Sequence, residues 1–189
     1  MINTIAAMRT KLAHLLLEKS YMEGDFMLTS GKKSDYYFDC KQTALHPEGG
    51  FLIGTIFLDM IKTHTGIQGV GGMTLGADPL VSSVSVLSHV QGMPLPGFIV
   101  RKTSKGHGTD QYLEGLKNFS VGDRICMLED VVTTGGSLIT ACQRVEDAGL
   151  VVSQVLCVLD REQGGREALQ HVGYDLGAIF TRDSLVKTA

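Results

Sequence analysis

The sequence lacks the features that mark several large classes of protein. In its 189 residues no apolar run approaches the length of a membrane span, so we expect no membrane partner. Arg9, Lys11 and Glu18 interrupt the apolar residues near the start of the chain, and we therefore expect no signal peptide. The net charge of −3 provides no basic excess, which argues against nucleic-acid binding as the main activity.

Cysteine is also sparse. The four cysteines are scattered, show no metal-ligand spacing and mostly lie in apolar runs; they are Cys40, Cys126, Cys142 and Cys157. This pattern is typical of reduced cysteines in the core of a cytoplasmic protein. Because no repeat, low-complexity tract or linker is visible, we expect a single domain over residues 1–189.

The stretch 124–137, RICMLEDVVTTGGS, carries the strongest signal. Its four apolar residues at 125–128 predict a strand buried on both faces of a parallel sheet. Glu129 and Asp130 follow at once. Because a strand interior does not bury two adjacent carboxylates unpaired, we expect them at the strand's carboxyl end. The glycines and hydroxyls of 133–137 lead into a predicted helix over 137–148, whose free N–H groups favour an anion.

This stretch excludes two common phosphate sites. No Gly-Lys-Ser/Thr follows the glycines, which excludes a Walker P-loop, and Gly135-Gly136 is a poor match to Gly-x-Gly-x-x-Gly. A sugar phosphate fits better, because carboxylates accept hydrogen bonds from ribose hydroxyls while the turn holds a phosphate. The alternative is a strand followed by a polar turn that binds nothing.

A cluster of cations is the second signal. Arg101, Lys102, Lys105 and His107 lie within seven residues, separated by glycine and small polar residues. A loop with nothing apolar to bury is able to close over a polyanion, although a charge run taken alone is more often a solvated turn. The alternative for such a charge run is a solvated surface turn.

The rest of the chain alternates between strand and helix patterns. Helices are predicted over 3–19, from 46 to near 66, and over 80–90, 137–148 and 166–172. Strands are predicted around 26–28, 36–40 and 70, and over 97–101, 124–128, 151–159 and 176–181. This order predicts an α/β fold with a mainly parallel sheet flanked by helices, preceded by a small N-terminal helix and strand hood over residues 1–45.

The 124–137 stretch resembles the 5-phosphoribosyl-1-diphosphate (PRPP) motif of type I phosphoribosyltransferases. The loop pattern Arg-Lys-x-x-Lys-x-His-Gly at 101–108, the run from Ser30 to Asp39, and Leu159-Asp160-Arg161 are similar to those of orotate phosphoribosyltransferases. The resemblance implies the type I phosphoribosyltransferase fold. It also implies transfer of the phosphoribosyl group from PRPP to orotate, which gives orotidine 5′-monophosphate and diphosphate in de novo pyrimidine biosynthesis. The cofactor it implies is Mg²⁺, carried mainly by PRPP, and the assembly is a homodimer whose catalytic loops each serve the partner's active site.

The resemblance also implies roles for individual residues. The expected catalytic residues are Lys105, His107 and Asp130. The expected PRPP-binding residues are Arg101, Lys102, Lys105, His107, Glu129, Asp130, Val131, Val132, Thr133, Thr134, Gly135, Gly136 and Ser137. The expected orotate-binding residues are Thr133, Arg161, Tyr37 and Phe38. A guanidinium at Arg161 suits this role because it can grip a carboxylate through two parallel hydrogen bonds.

The loop from Gly71 to Pro79 is expected to bind the diphosphate through backbone N–H groups. Some family members carry a lysine after an aromatic residue in this loop, where this chain has Thr74 and Leu75, or a lysine where it has Thr29. Asp78 precedes a proline, a position more typical of a turn or cap residue. Two alternatives remain: a purine phosphoribosyltransferase with the same PRPP site, which the 101–107 loop and Asp160-Arg161 disfavour, and a PRPP-sensing regulator without turnover.

Overall fold

The structure is a computed structural model that describes residues 4–27, 33–104 and 112–188, with the backbone alone for 33–35. Its helices are α1 (Ile5–Lys19), α2 (Lys41–Ala44), α3 (Pro47–Lys62), α4 (Asp78–Val90), α5 (Gly136–Asp147), α6 (Gly165–His171) and α7 (Arg182–Thr188). Its strands are β1 (Tyr21–Met27), β2 (Lys33–Phe38), β3 (Gly69–Met73), β4 (Gly97–Val100), β5 (Leu113–Glu114), β6 (Arg124–Val132), β7 (Val151–Asp160) and β8 (Leu176–Thr181). None of the helices in these ranges is both long and apolar enough to cross a membrane.

The predicted mainly parallel sheet is confirmed. Six strands lie in the order β5-β4-β3-β6-β7-β8, and only the short edge strand β5 runs antiparallel to its neighbour. From β3 the chain passes outward through β4 and then returns to place β6 on the other side of β3. The strand order therefore reverses between β3 and β6, the position at which open α/β sheets bind ligands beyond their carboxyl ends.

Both faces of the sheet are covered by helices. Buried residues of α1, α3 and α4 form one hydrophobic cluster with the first face, and buried residues of α5 and α6 form a second cluster with the other. Alternate residues of β6 enter the two clusters: Cys126 and Leu128 belong to the first, and Ile125 and Met127 to the second. The strand is therefore buried on both faces, as its continuous apolar run predicts. All four cysteines are buried and free.

The predicted end of the motif strand was wrong by four residues. The strand extends beyond Leu128 to Val132 and contains both carboxylates, because its backbone pairing with β7 continues through Val131↔Leu159 and Val132↔Asp160. Backbone hydrogen bonds do not depend on the side chains that the strand carries. The acids still lie among its last four residues, at the carboxyl end.

The hood consists of α1, the antiparallel β1–β2 hairpin and α2. Leu12 and Leu16 of α1 and Tyr36 of β2 are buried in the same cluster as Ile53 and Ile56 of α3, so the hood shares the core of the first sheet face. The extent of the domain, 1–189, stays a prediction. The sequence patterns missed α2 and β5, which are too short to produce a periodic apolar pattern, and α7, in which only Leu185 is buried.

Candidate functional site

The two carboxylates at the end of β6 form the centre of the candidate site. Glu129 is only 7% exposed, and its Oε1 accepts a hydrogen bond from the Asp130 N–H at 3.1 Å. Asp130 is half-buried, and its Oδ1 accepts from the Val131 N–H at 2.8 Å. Burial, followed by the negative charge of Asp130, raises the pKa of Glu129 well above its ordinary value of 4.5. The pair therefore lies in a place where a charge is poorly solvated.

Gly76 packs directly against Asp130. A Cβ built on Gly76 would lie 2.5 Å from Cγ and Oδ1 of Asp130, closer than the 3.0 Å below which real Cβ contacts essentially never occur. Only glycine lets the loop after β3 approach the carboxylate this closely. This contact fixes the position of the loop relative to the acidic pair.

The loop after β3 presents backbone donors beside Asp130. The N–H groups of Thr74, Ala77 and Asp78 donate to backbone carbonyls, whereas those of Leu75 and Gly76 have no acceptor among the described residues. Thr74 Oγ1 donates to Asp78 Oδ2 at 2.9 Å, in line with the turn role expected for Asp78. The loop thus has two free N–H donors where a diphosphate was expected.

The turn after β6 presents a second set of donors. Gly135 adopts φ +80°, a left-handed conformation that favours glycine, and it caps α5 without a side-chain hydrogen bond. In the described part of the chain the N–H groups of Gly136, Ser137 and Leu138 have no acceptor. Thr134, Gly136 and Ser137 are exposed around them. The start of a twelve-residue helix with three free N–H groups is suited to an anion.

Arg161 follows β7 at the same edge of the sheet. Its N–H donates to the Val132 carbonyl at 2.9 Å, which holds it beside the end of β6. Arg161 is buried, with only 7% of its surface exposed, and its Nε donates to the hydroxyl of Tyr36 at 2.8 Å. The guanidinium also lies 4.6 Å from the centroid of the Tyr36 ring. The hood residue Tyr36 therefore orients Arg161.

Two further cations come close to the acidic pair. The charge of Lys102 lowers the pKa of Glu129, against the larger effect of burial, so this lysine lies within electrostatic range of the pair in its own chain. A hydrogen bond to Asp39 and the charge of Asp130 both raise the pKa of Lys41, a residue of α2 that the sequence patterns did not single out. Arg101 forms an ion pair with Glu114 at 3.1 Å. Lys105 and His107 lie outside the described residues.

Comparison with known proteins decides the family. No protein-family model matches the chain. The orotate phosphoribosyltransferase of Nostoc sp. is 48% identical over 177 residues, which cover 94% of this chain and 84% of that protein. The enzyme of the same name from Thermosynechococcus vestitus is 43% identical over 95% of this chain and 94% of its own. This chain belongs to the orotate phosphoribosyltransferase family.

A solved structure of the family has the same fold. The crystal structure of Mycobacterium tuberculosis orotate phosphoribosyltransferase in complex with PRPP superposes with a TM-score of 0.78 at 32% identity, covering 95% of this chain and 99% of that one. The predicted type I phosphoribosyltransferase fold is thereby confirmed. The acidic pair, the two donor loops and Arg161 lie at one edge of this fold.

Tyr37 and Phe38, the two aromatic residues expected to bind orotate, lie on opposite faces of β2. Tyr37 is exposed and packs against Phe26 with ring centroids 5.6 Å apart, whereas Phe38 is buried in the first hydrophobic cluster. Tyr36, buried on the same face as Phe38, is the aromatic residue that contacts Arg161. The alternation along a strand explains why three consecutive aromatic residues cannot all face one ligand. The orotate-binding roles of Tyr37 and Phe38 stay predictions.

The described residues offer only part of a metal site. Among them no group of three or more His, Cys, Asp or Glu side chains is arranged to hold an ion. Magnesium bound with phosphate substrates commonly takes one or two protein carboxylates and completes its shell with phosphate oxygens and water. Glu129 and Asp130 fit such a partial set, in which the substrate supplies most of the ligands.

Burial of Glu129 predicts a specific dependence of stability on pH. Below the ordinary pKa of 4.5 both the folded and the unfolded protein hold the proton, so Glu129 has little effect on the pH dependence of stability. As the pH rises, the unfolded state releases the proton first, and stability is lost because the folded state must keep the proton or bury a charge. Glu129→Gln keeps the acceptor for Asp130 and removes this effect. We expect the variant to melt several degrees above the wild type at pH 7 and near it at pH 4.

Thermal unfolding followed by circular dichroism measures both values. Glu23→Gln, which changes an exposed glutamate in β1, is the matched control and should shift neither melting temperature. A Glu129→Gln variant that is less stable than the wild type at pH 7 would contradict the assignment of Glu129 as a poorly solvated carboxyl.

Proposed function

We propose that the protein transfers the 5-phosphoribosyl group of PRPP to orotate, giving orotidine 5′-monophosphate and diphosphate for pyrimidine biosynthesis. The observation that carries this proposal is the arrangement around Asp130. Free N–H groups of two loops flank the carboxylate pair, and Arg161 is held beside it through Val132. PRPP, which has a phosphate group at each end of a ribose, and orotate, which carries a carboxylate, have a partner for each of these groups here.

PRPP would lie along the carboxyl edge of β3 and β6. Its 5-phosphate would accept hydrogen bonds from the turn and the start of α5, and its ribose hydroxyls would donate to Glu129 and Asp130. Val131 and Val132 supply the backbone that leads into this turn. The diphosphate would take the N–H groups of Leu75 and Gly76, together with the charges of Arg101, Lys102, Lys105 and His107.

The reaction is a displacement at the anomeric carbon of the ribose. The bond from this carbon to the diphosphate oxygen breaks, and a bond to a ring nitrogen of orotate forms. Positive charge develops on the ribose in between, and the carboxylate of Asp130 would stabilise it. The cations of the 101–107 loop would neutralise the departing diphosphate. Catalysis then rests on positioning and electrostatics, without a covalent intermediate on the protein.

Magnesium fits this scheme as a companion of the substrate. It would neutralise oxygens of the diphosphate when bound, with Glu129 and Asp130 as its available protein carboxylates. Glu129 and Asp130 would still orient the ribose, and the N–H groups of the two loops would still bind the phosphates.

Orotate would lie against Arg161 and Thr133. The guanidinium can bind the orotate carboxylate through its fork, and Tyr36 holds that fork in a fixed orientation. Tyr37 and Phe38 would border the pyrimidine from the hood. A base without a carboxylate would leave Arg161 without this interaction.

Replacement of Arg161 tests the base site. Arg161→Ala should raise the Michaelis constant of orotate roughly 10- to 100-fold, because a charge-assisted bidentate contact is lost, and should change that of PRPP much less. Steady-state kinetics with each substrate varied in turn measures both constants. Arg182→Ala is a useful control, since Arg182 also lies near the Tyr36 ring, with its guanidinium 4.5 Å from the centroid. An equal rise in the Michaelis constants of both substrates in Arg161→Ala would contradict the assignment of Arg161 to orotate binding.

We also propose that the protein is a cytoplasmic homodimer. Leu45, Phe51 and Leu75 are exposed and border an open groove of about 700 Å³, and the exposed Val86 of α4 borders an adjoining groove of about 350 Å³ that also includes Phe51. An apolar surface of this kind is typical of a protein interface. Because Leu75 belongs to the loop that contacts the acidic pair, an interface here would adjoin the active site. The free buried cysteines accord with a reducing compartment.

Subunit exchange tests whether the catalytic loop serves the partner. Lys105→Ala and Asp130→Asn are each expected to be inactive or nearly so. In a mixed dimer with a shared loop, one site carries both lesions and the other carries neither. Random exchange makes half of the dimers mixed, and each then has one intact site, so activity should recover to roughly a quarter of wild type. Lys102 is not mutated in this test, because it lies near Glu129 of its own chain and so would not report on a loop that serves the partner.

Mass spectrometry of intact dimers confirms that exchange has occurred. Confirmed exchange without recovery would mean that each loop serves its own subunit. The transfer of a phosphoribosyl group would be unaffected by that result, whereas the shared-site part of the proposal would have to be withdrawn.

A further inference from the structure

Arg144 links helix α5 to the two chain segments that flank residues 105–111. It lies in the last turn of α5, and its Nη1 donates to the carbonyl of Arg101 at 2.7 Å and more weakly to that of Lys102 at 3.4 Å. Its guanidinium carbon lies 3.9 Å from the centroid of the Tyr112 ring. One side chain thus contacts both segments, in the planar fashion that arginine allows and lysine does not.

The two segments are also joined to each other. The Arg101 N–H donates to the Tyr112 carbonyl at 2.7 Å, and the Arg101 guanidinium pairs with Glu114 at 3.1 Å. The edge pair β4–β5 continues this antiparallel arrangement through Val100↔Leu113. Because β5 has only two residues, this edge of the sheet has little backbone pairing of its own. The contacts of Arg144 therefore add polar links to the apolar cluster in which Val100 and Leu113 pack with α5.

Lys102 depends on this arrangement for its position. Its side chain is exposed, and its carbonyl accepts one of the Arg144 hydrogen bonds. Its charge nevertheless reaches Glu129 at the end of β6. α5 begins shortly after the acidic pair along the chain, and Arg144 joins this helix to the segment that carries Lys102.

We propose that Arg144 is a positioning residue that holds Arg101 and Lys102 in fixed relation to α5, and so sets the distance between the diphosphate-binding cation and the 5-phosphate turn. The inference rests on the proposed function, since it assigns those two groups to the two ends of PRPP. Arg144 itself touches neither substrate. Its effect should appear in the use of PRPP and not in the binding of orotate.

Kinetics of three single variants test the proposal. Arg144→Met removes the fork and keeps the apolar stem, and we expect kcat/KM for PRPP to fall roughly three- to thirty-fold with the KM of orotate unchanged. Arg144→Lys keeps a donor but loses the planar contact with Tyr112, so its loss should be intermediate. Arg124→Met is the matched control, because Arg124 is an exposed arginine at the opposite end of β6 that contacts Ser153. It should behave as the wild type.

A double variant separates positioning from general destabilisation. If Arg144 acts through Lys102, Arg144→Met should cause little further loss in a Lys102→Ala background. Two independent losses that multiply in the double variant would overturn the proposal. A rise in the KM of orotate in Arg144→Met as large as the loss of kcat/KM for PRPP would overturn it as well.

Hydrogen exchange tests the same link without any catalysis. The Arg101 amide donates across the two segments, so it should exchange faster in Arg144→Met than in Arg124→Met while amides in β7 keep their protection. Equal exchange of the Arg101 amide in the two variants would overturn the proposal. If the unmodified protein failed to turn over PRPP and orotate, the proposed function would be wrong, and this exchange measurement would still decide whether Arg144 holds the two segments.

Discussion

The burial of two adjacent carboxylates at the end of β6 is the constraint on which the site depends. A carboxyl that is 7% exposed and beside a second carboxylate is unfavourable in an isolated protein, since burial and like charge both oppose ionisation. Folding tolerates this pair because β6 is held by parallel pairing on both sides and by clusters on both faces. A ligand that brings hydroxyl donors, cations or a metal would relieve what the fold itself leaves unfavourable.

The topology places the complementary groups around that pair. The strand order reverses between β3 and β6, so the loop after β3 meets the end of β6, and Gly76 brings it against Asp130. On the other side, β7 ends beside Val132 and delivers Arg161, which the hood orients through Tyr36. Three loops that are far apart in sequence therefore present an acidic pair, two sets of free N–H donors and a fixed guanidinium at one edge.

Much of this arrangement follows from the sequence by simple rules. The apolar run before Glu129, the turn residues after it and the helical spacing beyond Leu138 predict a strand, an acidic pair and a phosphate-binding helix start. Prediction from the sequence fails where backbone pairing extends a strand past polar side chains, or where an element buries too few residues to show a pattern. β6 continues to Val132 because its hydrogen bonds with β7 do not depend on the acids, and the helix α7 has one buried residue, Leu185, too few for a period. The contacts of Arg144 and Tyr36 join residues distant along the chain, which no local pattern reveals.

We conclude that this edge of the sheet joins a phosphoribosyl group to a base that carries a carboxylate. Orotate and uracil differ only by that carboxylate, so their comparison isolates the contribution of Arg161. The most direct measurement is kcat/KM of the unmodified protein for orotate, uracil, adenine and hypoxanthine at saturating PRPP and Mg²⁺. If this conclusion is right, turnover of orotate exceeds that of uracil roughly 100-fold or more, and neither purine is used appreciably. Faster turnover of a purine, equal turnover of uracil, or turnover of no base would contradict it.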